Sequence, residues 1–231
     1  MKTPYSTTTP SPRFLLLGDS HAGPIGAAAR TQGLPFSGGP LGAGRDFSGP
    51  FFDLTEGGLV LRDGEMNGLL SGFLHELGVN RLAQLQIPLV STLGLSLHFY
   101  ATTENWECYR VRGGQFDPDF LGSRLFDGLI AAMAQEALAF YERLLALGLR
   151  VWVVLPPQRV PSLSDAQVFM AAQECLLRRL TALGVEVIDI RAATTDAAGL
   201  QRPEFCEADD PLHGNLAFGQ LLLQALVEHG L

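Results

Sequence analysis

Apolar and polar positions alternate between two periods along this chain, and the alternation predicts its elements. Phe14-Leu15-Leu16-Leu17 is a continuous apolar run of the kind that forms a strand buried on both faces, and it passes into Ala- and Gly-rich helical sequence up to Arg30. A strand over 13–17, a helix over 21–31 and a short strand near 34–37 follow from this. Residues 45–86 then depart from the simplest strand-helix repeat. They contain a hairpin around residues 55–62 and an amphipathic helix near 65–77, with Leu69, Leu70, Phe73, Leu74 and Leu77 on one face. Further on come strand-like sequence at 87–93, a long helix from 121 to 147, a buried strand at 150–155, a helix at 164–183 and a strand at 185–190. A last helix carries Leu216, Phe218, Leu221, Leu222, Ala225 and Leu226 at helical spacing. Strands and helices in that order are what a doubly wound parallel sheet requires.

Two loops at opposite ends of this pattern hold the chemistry. Gly18-Asp19-Ser20-His21 stands directly behind the first strand. That spacing puts a serine hydroxyl at the carboxyl end of a strand and the start of a helix, where free backbone N–H groups favour developing negative charge. Asp and Ser are also ordinary helix N-caps, so this tetrapeptide alone decides little. The second loop, Asp209-Asp210-Pro211-Leu212-His213-Gly214-Asn215, directly precedes the last helix. A carboxylate three residues before a histidine can turn back to bind one ring nitrogen, leaving the other free as a base. Together the loops offer Ser20 as nucleophile, His213 as base and Asp210 as the acid that orients it.

These two blocks resemble the most diagnostic motifs of the SGNH (GDSL-like) hydrolase superfamily, and the resemblance spans the chain from about residue 13 to its end. The form Gly18-Asp19-Ser20-His21-Ala22 is also similar to the SGNH domains linked to membrane acyltransferases that O-acylate polysaccharides. The resemblance implies a flavodoxin-like three-layer α/β/α sandwich with a parallel central sheet, and a Ser20-His213-Asp210 triad. It implies a serine esterase that removes a small O-acyl group, most plausibly acetyl, from a carbohydrate. An O-acyltransferase would use the same residues, and a binding module of weakened catalysis would share the fold.

The superfamily builds its oxyanion hole from the nucleophile's own N–H, a glycine N–H after the second strand and an asparagine side chain after the third. Here the second contribution falls within Ser37-Gly38-Gly39-Pro40-Leu41-Gly42-Ala43-Gly44, with Gly42 taken as the donor among several glycines. The third block departs from the family. Its frame lies on Gly94-Leu95-Ser96-Leu97, so Ser96 stands in the asparagine position, and His98 or Asn105 are the alternative donors. The segment 100–120 follows a strand on the side where substrate enters such folds and is read as a lid loop. Within it Trp106 and Tyr109 are expected to offer platforms to substrate, beside His98 and Asn105. Its mixture of aromatics and arginine equally suits a homodimer contact. Arg159, after the strand that ends at Pro156-Pro157, is a candidate for an anionic substrate group.

Composition narrows the remaining possibilities. The 231 residues suit one domain over 13–231, preceded by a polar, proline-rich tail at 1–12 with no apolar core of the secretory kind. A formal net charge of −8 provides no basic stripe, so nucleic acid is not an expected partner. Apolar stretches fall short of a membrane span. Cys108, Cys175 and Cys206 are odd in number and widely spaced, which suits a reduced, cytoplasmic chain better than a disulfide framework. His75-Glu76 is followed by Val79 where a zinc helix needs its second histidine, and neither a metal nor a cofactor is expected.

Overall fold

The computed structural model describes residues 10–111 and 113–231. Most of the expected tail, residues 1–9, therefore lies outside the described residues. The core of the fold is a five-stranded sheet made of β1 (Leu15–Gly18), β2 (Ser37–Pro40), β5 (Leu89–Ser91), β6 (Val151–Val154) and β7 (Glu186–Ile188). All four pairings are parallel and the spatial order is β2-β1-β5-β6-β7. This is the flavodoxin-like order, in which the sequence of strands changes direction between β1 and β5. The side-chain alternation of β1 assigns the two faces: Leu15 and Leu17 enter one apolar cluster, Phe14 and Leu16 the other. Helices α1 (Ala22–Thr31) and α8 (Leu216–Glu228) cover the Leu16 face; α4 (Arg124–Met133), α5 (Gln135–Ala146) and α6 (Ala166–Leu183) pack on the Leu17 face.

Local chemistry sets the helix ends. Asp165 accepts from the N–H groups of Gln167 and Val168 to start α6, and Gly184 at φ 91° ends it in the left-handed conformation. Asn215 caps α8 by accepting from Phe218 N–H. Between β2 and β5 stand the antiparallel hairpin β3 (Phe52–Thr55) and β4 (Gly58–Leu61), then α2 (Gly64–Glu76). Two short helices, α3 (Thr103–Trp106) and α7 (Arg191–Thr194), complete the list.

Three expectations need correction. The second strand runs over Ser37–Pro40 rather than 34–37, because Gly38 at φ 104° lies so close to β1 that a Cβ would sit 2.0 Å from Leu16 O. Only glycine allows that approach, and strand propensity counts against glycine. The helix expected over 121–147 is two, α4 and α5, divided at Ala134 (φ −97°, ψ 4°). Ile130, Ala134 and Ala137 are all buried, so the apolar stripe passes through the break and periodicity cannot reveal it. Around Trp106 the expected lid, 100–120, is packed into the body of the protein. Trp106 is 2% exposed, its indole N–H donates to Tyr100 O at 2.7 Å, and its ring packs among Tyr109, Phe120 and Phe126. It is a core residue and offers no platform to a substrate; an aromatic of that size contributes most when it is buried.

Candidate active site

The site lies at the carboxyl ends of β1 and β5, where the order of strands reverses. Gly18 closes β1, and a Cβ there would meet Thr92 Oγ1 at 2.4 Å and Ala22 Cβ at 2.5 Å. Asp19 follows, with 0% exposure. Its Oδ1 accepts from His21 N–H and from the Thr92 hydroxyl, both at 3.0 Å, and its Oδ2 accepts from the Ser96 hydroxyl at 2.7 Å. A buried carboxylate is tolerated only when its lone pairs are met in this way. Asp19 thus ties the loop after β1 to the loop after β5. The bonds from Ala22 N–H to Asp19 O (3.0 Å) and Gly23 N–H to Ser20 O (3.1 Å) then turn the chain into α1, leaving Ser20 at the turn.

The other loop meets it from the far end of the chain. Asp209 takes φ 56°, the one non-glycine residue with positive φ among the described residues, and reverses the backbone so that Asp210 faces His213. Asp210 Oδ1 accepts from the N–H groups of Leu212 (2.7 Å) and His213 (2.8 Å), while Oδ2 lies 2.6 Å from His213 Nδ1. Burial pushes the Asp210 carboxyl up, but the His213 bond and the two backbone donors outweigh it and hold the carboxyl down to about 2. With its proton on Nδ1, the His213 ring presents an Nε2 lone pair 2.7 Å from Ser20 Oγ. Ser20, His213 and Asp210, separated by 193 residues in sequence at their widest contact, are thus brought into one hydrogen-bonded chain.

The remaining candidates divide. The Ser20 and Gly42 backbone N–H groups donate to nothing among the described residues. The bond from Leu41 N–H to Gly18 O (2.7 Å) carries the chain at Gly42 alongside the Asp19-Ser20 turn. Ser96 corrects its expected role: its hydroxyl proton is committed to Asp19, so it has none to give an oxyanion. Arg159 braces the histidine loop, its Nη1 donating to Glu207 O at 3.0 Å and to His213 O at 2.8 Å. Asn105 is an exposed residue of α3. His98 is half-buried beside His21, and burial pushes it down to about 4, which keeps it neutral near pH 7.

Sequence reasoning missed four residues. Asp19 and Thr92 form the buried joint just described, and His21 packs its ring 5.0 Å from that of His213. Gly44 must lack a side chain, since a Cβ there would stand 2.1 Å from Ser96 Oγ. The tetrapeptide itself carried the signal for Asp19, but nothing in sequence points from it to Thr92 or Ser96. An open cleft of about 470 Å³ exposes Ser20 and His213 between Pro24, Ala27, Glu207 and Leu216. A larger cavity of about 610 Å³ over α8 holds none of these groups. Among the described residues no cluster of His, Cys, Asp or Glu is arranged to hold a metal, and no helix is long and apolar enough to cross a membrane.

No protein-family model and no curated protein matches the chain. Solved structures do. A GDSL-like lipase from Bacteroides thetaiotaomicron is 16% identical, with 96% of this chain and 90% of that one covered, at a TM-score of 0.46. A lipase/acylhydrolase from Enterococcus faecalis is 16% identical over 94% of both chains, at a TM-score of 0.44. The structural neighbours of this chain therefore include GDSL-like hydrolases, and its own parallel sheet, with strands in the order β2-β1-β5-β6-β7, is the fold that the resemblance to the SGNH superfamily implies.

Proposed function

We propose that the chain is a serine ester hydrolase of the SGNH (GDSL-like) type, with Ser20 as nucleophile, His213 as base and Asp210 as its orienting acid. The observation that carries this reading is the continuous relay from Ser20 Oγ through both His213 nitrogens to Asp210, opening on a cleft. In the first step Ser20 Oγ attacks the ester carbonyl while its proton passes to His213 Nε2. The tetrahedral oxyanion is met by the free N–H groups of Ser20 and Gly42. Collapse expels the alcohol, which takes the proton from His213, and leaves an acyl-Ser20 ester. Water, deprotonated by the same Nε2, then releases the acid and restores the serine.

The substrate is an ester of a small acyl group, acetyl foremost, on a carbohydrate hydroxyl. The similarity of Gly18-Asp19-Ser20-His21-Ala22 to the domains linked to polysaccharide O-acyltransferases supports this, as does a cleft of about 470 Å³ over Ser20 and His213. Transfer to an acceptor hydroxyl would use the same groups, with the acceptor in the place of water.

The test is hydrolysis of p-nitrophenyl acetate together with fluorophosphonate labelling. Ser20→Ala and His213→Ala are each expected to lose several orders of magnitude in turnover with the fold intact, because nucleophile and base act as a unit. Labelling should vanish in Ser20→Ala, and Asp210→Asn should keep more activity than either. Equal turnover in wild type and Ser20→Ala overturns the reading.

A further inference from the structure

His21 follows the nucleophile directly, and the triad described above makes no use of its ring. The side chain is 7% exposed and lies with its plane at 44° to that of His213, the ring centroids 5.0 Å apart. Its Nδ1 is buried and has no hydrogen-bond partner among the described residues. Leaving a polar atom unpaired in the interior costs free energy that a leucine or phenylalanine in the same place would avoid. Burial pushes the imidazole below its usual value; Asp19 and Asp210 oppose that, and His213 adds to it.

The ring borders a recess of about 10 Å³, walled also by Ser96, His98, Arg159, Phe169 and Leu212. That is the space of one water molecule, and a buried water needs two to four polar partners. The walls supply them. Besides His21 Nδ1 there is the Ser96 oxygen, whose proton goes to Asp19 and whose second lone pair stays available. His98 and Arg159, the latter anchored to the histidine loop through Nη1, are the other polar residues that line the recess.

We propose that this recess is a built site for one water molecule and that His21, bound to it through Nδ1, is a positioning residue of the triad. The water fixes the rotation of the His21 ring, and the ring then backs His213 in the orientation that keeps Nε2 on Ser20 Oγ. The part concerning turnover rests on the Ser20-His213 reading above; the water site does not.

Two variants and one spectrum test it. His21→Phe keeps an aromatic ring and removes the polar anchor, whereas His21→Asn keeps a polar atom at the Nδ1 position and removes the ring. His21→Phe is expected to lower kcat on p-nitrophenyl acetate, and the rate of fluorophosphonate labelling, by about 10-fold with KM within about two-fold and a Tm no lower than wild type. His21→Asn, which keeps the anchor but not the ring that backs His213, is expected to lose kcat at least as far as His21→Phe, again with KM within about two-fold. Wild-type kcat in either variant overturns the positioning role. Nitrogen-15 NMR of the intact wild-type protein reads the site without mutation: Nδ1 of His21 should carry the shift of a hydrogen-bonded nitrogen, and a free-nitrogen shift overturns the water site. Activity surviving in Ser20→Ala would instead sink the hydrolase reading and leave this spectrum unaffected.

Discussion

Ser96→Ala separates two roles for one hydroxyl, and the structure sets the size of the effect. The hydroxyl donates at 2.7 Å to Oδ2 of Asp19, and no other group among the described residues is bonded to that oxygen. Asp19 is 0% exposed, so bulk water cannot take the vacated place. A hydrogen bond to a charged group contributes about 1.5–3 kcal/mol, and leaving a buried carboxylate oxygen unmet puts the cost toward the upper part of that range. About 2.5–3 kcal/mol in a domain of this size corresponds to a fall in Tm of about 5–12 °C. Urea unfolding at pH 7 measures it, and a cycle with Asp19→Asn tests the route: adding Ser96→Ala to Asp19→Asn should cost well under half as much as adding it to wild type. Were the hydroxyl an oxyanion donor instead, its removal would cost about 10²–10³ in turnover and leave stability alone. An unchanged Tm with turnover lost on that scale refutes the buried-joint reasoning.

Gly219→Ala should destabilise the protein by about 3 kcal/mol, at the top of the overpacking range, because the new Cβ would stand 2.1 Å from Pro24 O and force α8 away from α1. Calorimetry reads the loss, and a Tm within a degree of wild type would mean that the two helices do not meet so closely. Asp210, held to about 2 against an ordinary 3.8, adds stability that is fully present above the unfolded value and disappears as pH falls through about 2. The stability gap between wild type and Asp210→Asn should therefore narrow as pH drops from about 4 toward 2; a gap independent of pH across that window contradicts the bonds assigned to Asp210.

What could be read in the sequence was whatever depends on order along the chain. The apolar run ending at Gly18 and the stripe beginning at Leu216 are local patterns. A strand-to-helix turn must place Ser20 where it is, and a loop before the final helix must place His213 on the same edge of a doubly wound sheet. Elements whose local pattern disagrees with their packing were misjudged for physical reasons. β2 needs a glycine at Gly38 because β1 passes too close there for a Cβ, and α4 and α5 share a stripe that ignores the break at Ala134. Trp106 carries the composition of a binding surface but sits in the core, a distinction that only burial makes.

The oxyanion position shows why a motif frame predicts residues better than roles. Aligning Gly94-Leu95-Ser96-Leu97 with the superfamily's third block puts Ser96 at the site of a donor, and the structure does bring Ser96 to the right loop. What the hydroxyl does there is decided by its nearest acceptor. A fully buried Asp19 carboxylate is a far stronger claimant than a carbonyl that becomes an oxyanion only in passing, since the carboxylate must be satisfied at every moment the protein is folded. The hydroxyl is thereby spent on holding the loops after β1 and β5 together, which is also what fixes the Ser20 turn through His21 N–H. The backbone N–H groups of Ser20 and Gly42, which donate to no group among the described residues, are then the donors left to the proposed hydrolysis, and the chain reaches Gly42 from β2, whose Gly38 passes close against β1. That route runs through the Gly-Gly strand at Ser37–Pro40, the element whose composition looked least like a strand.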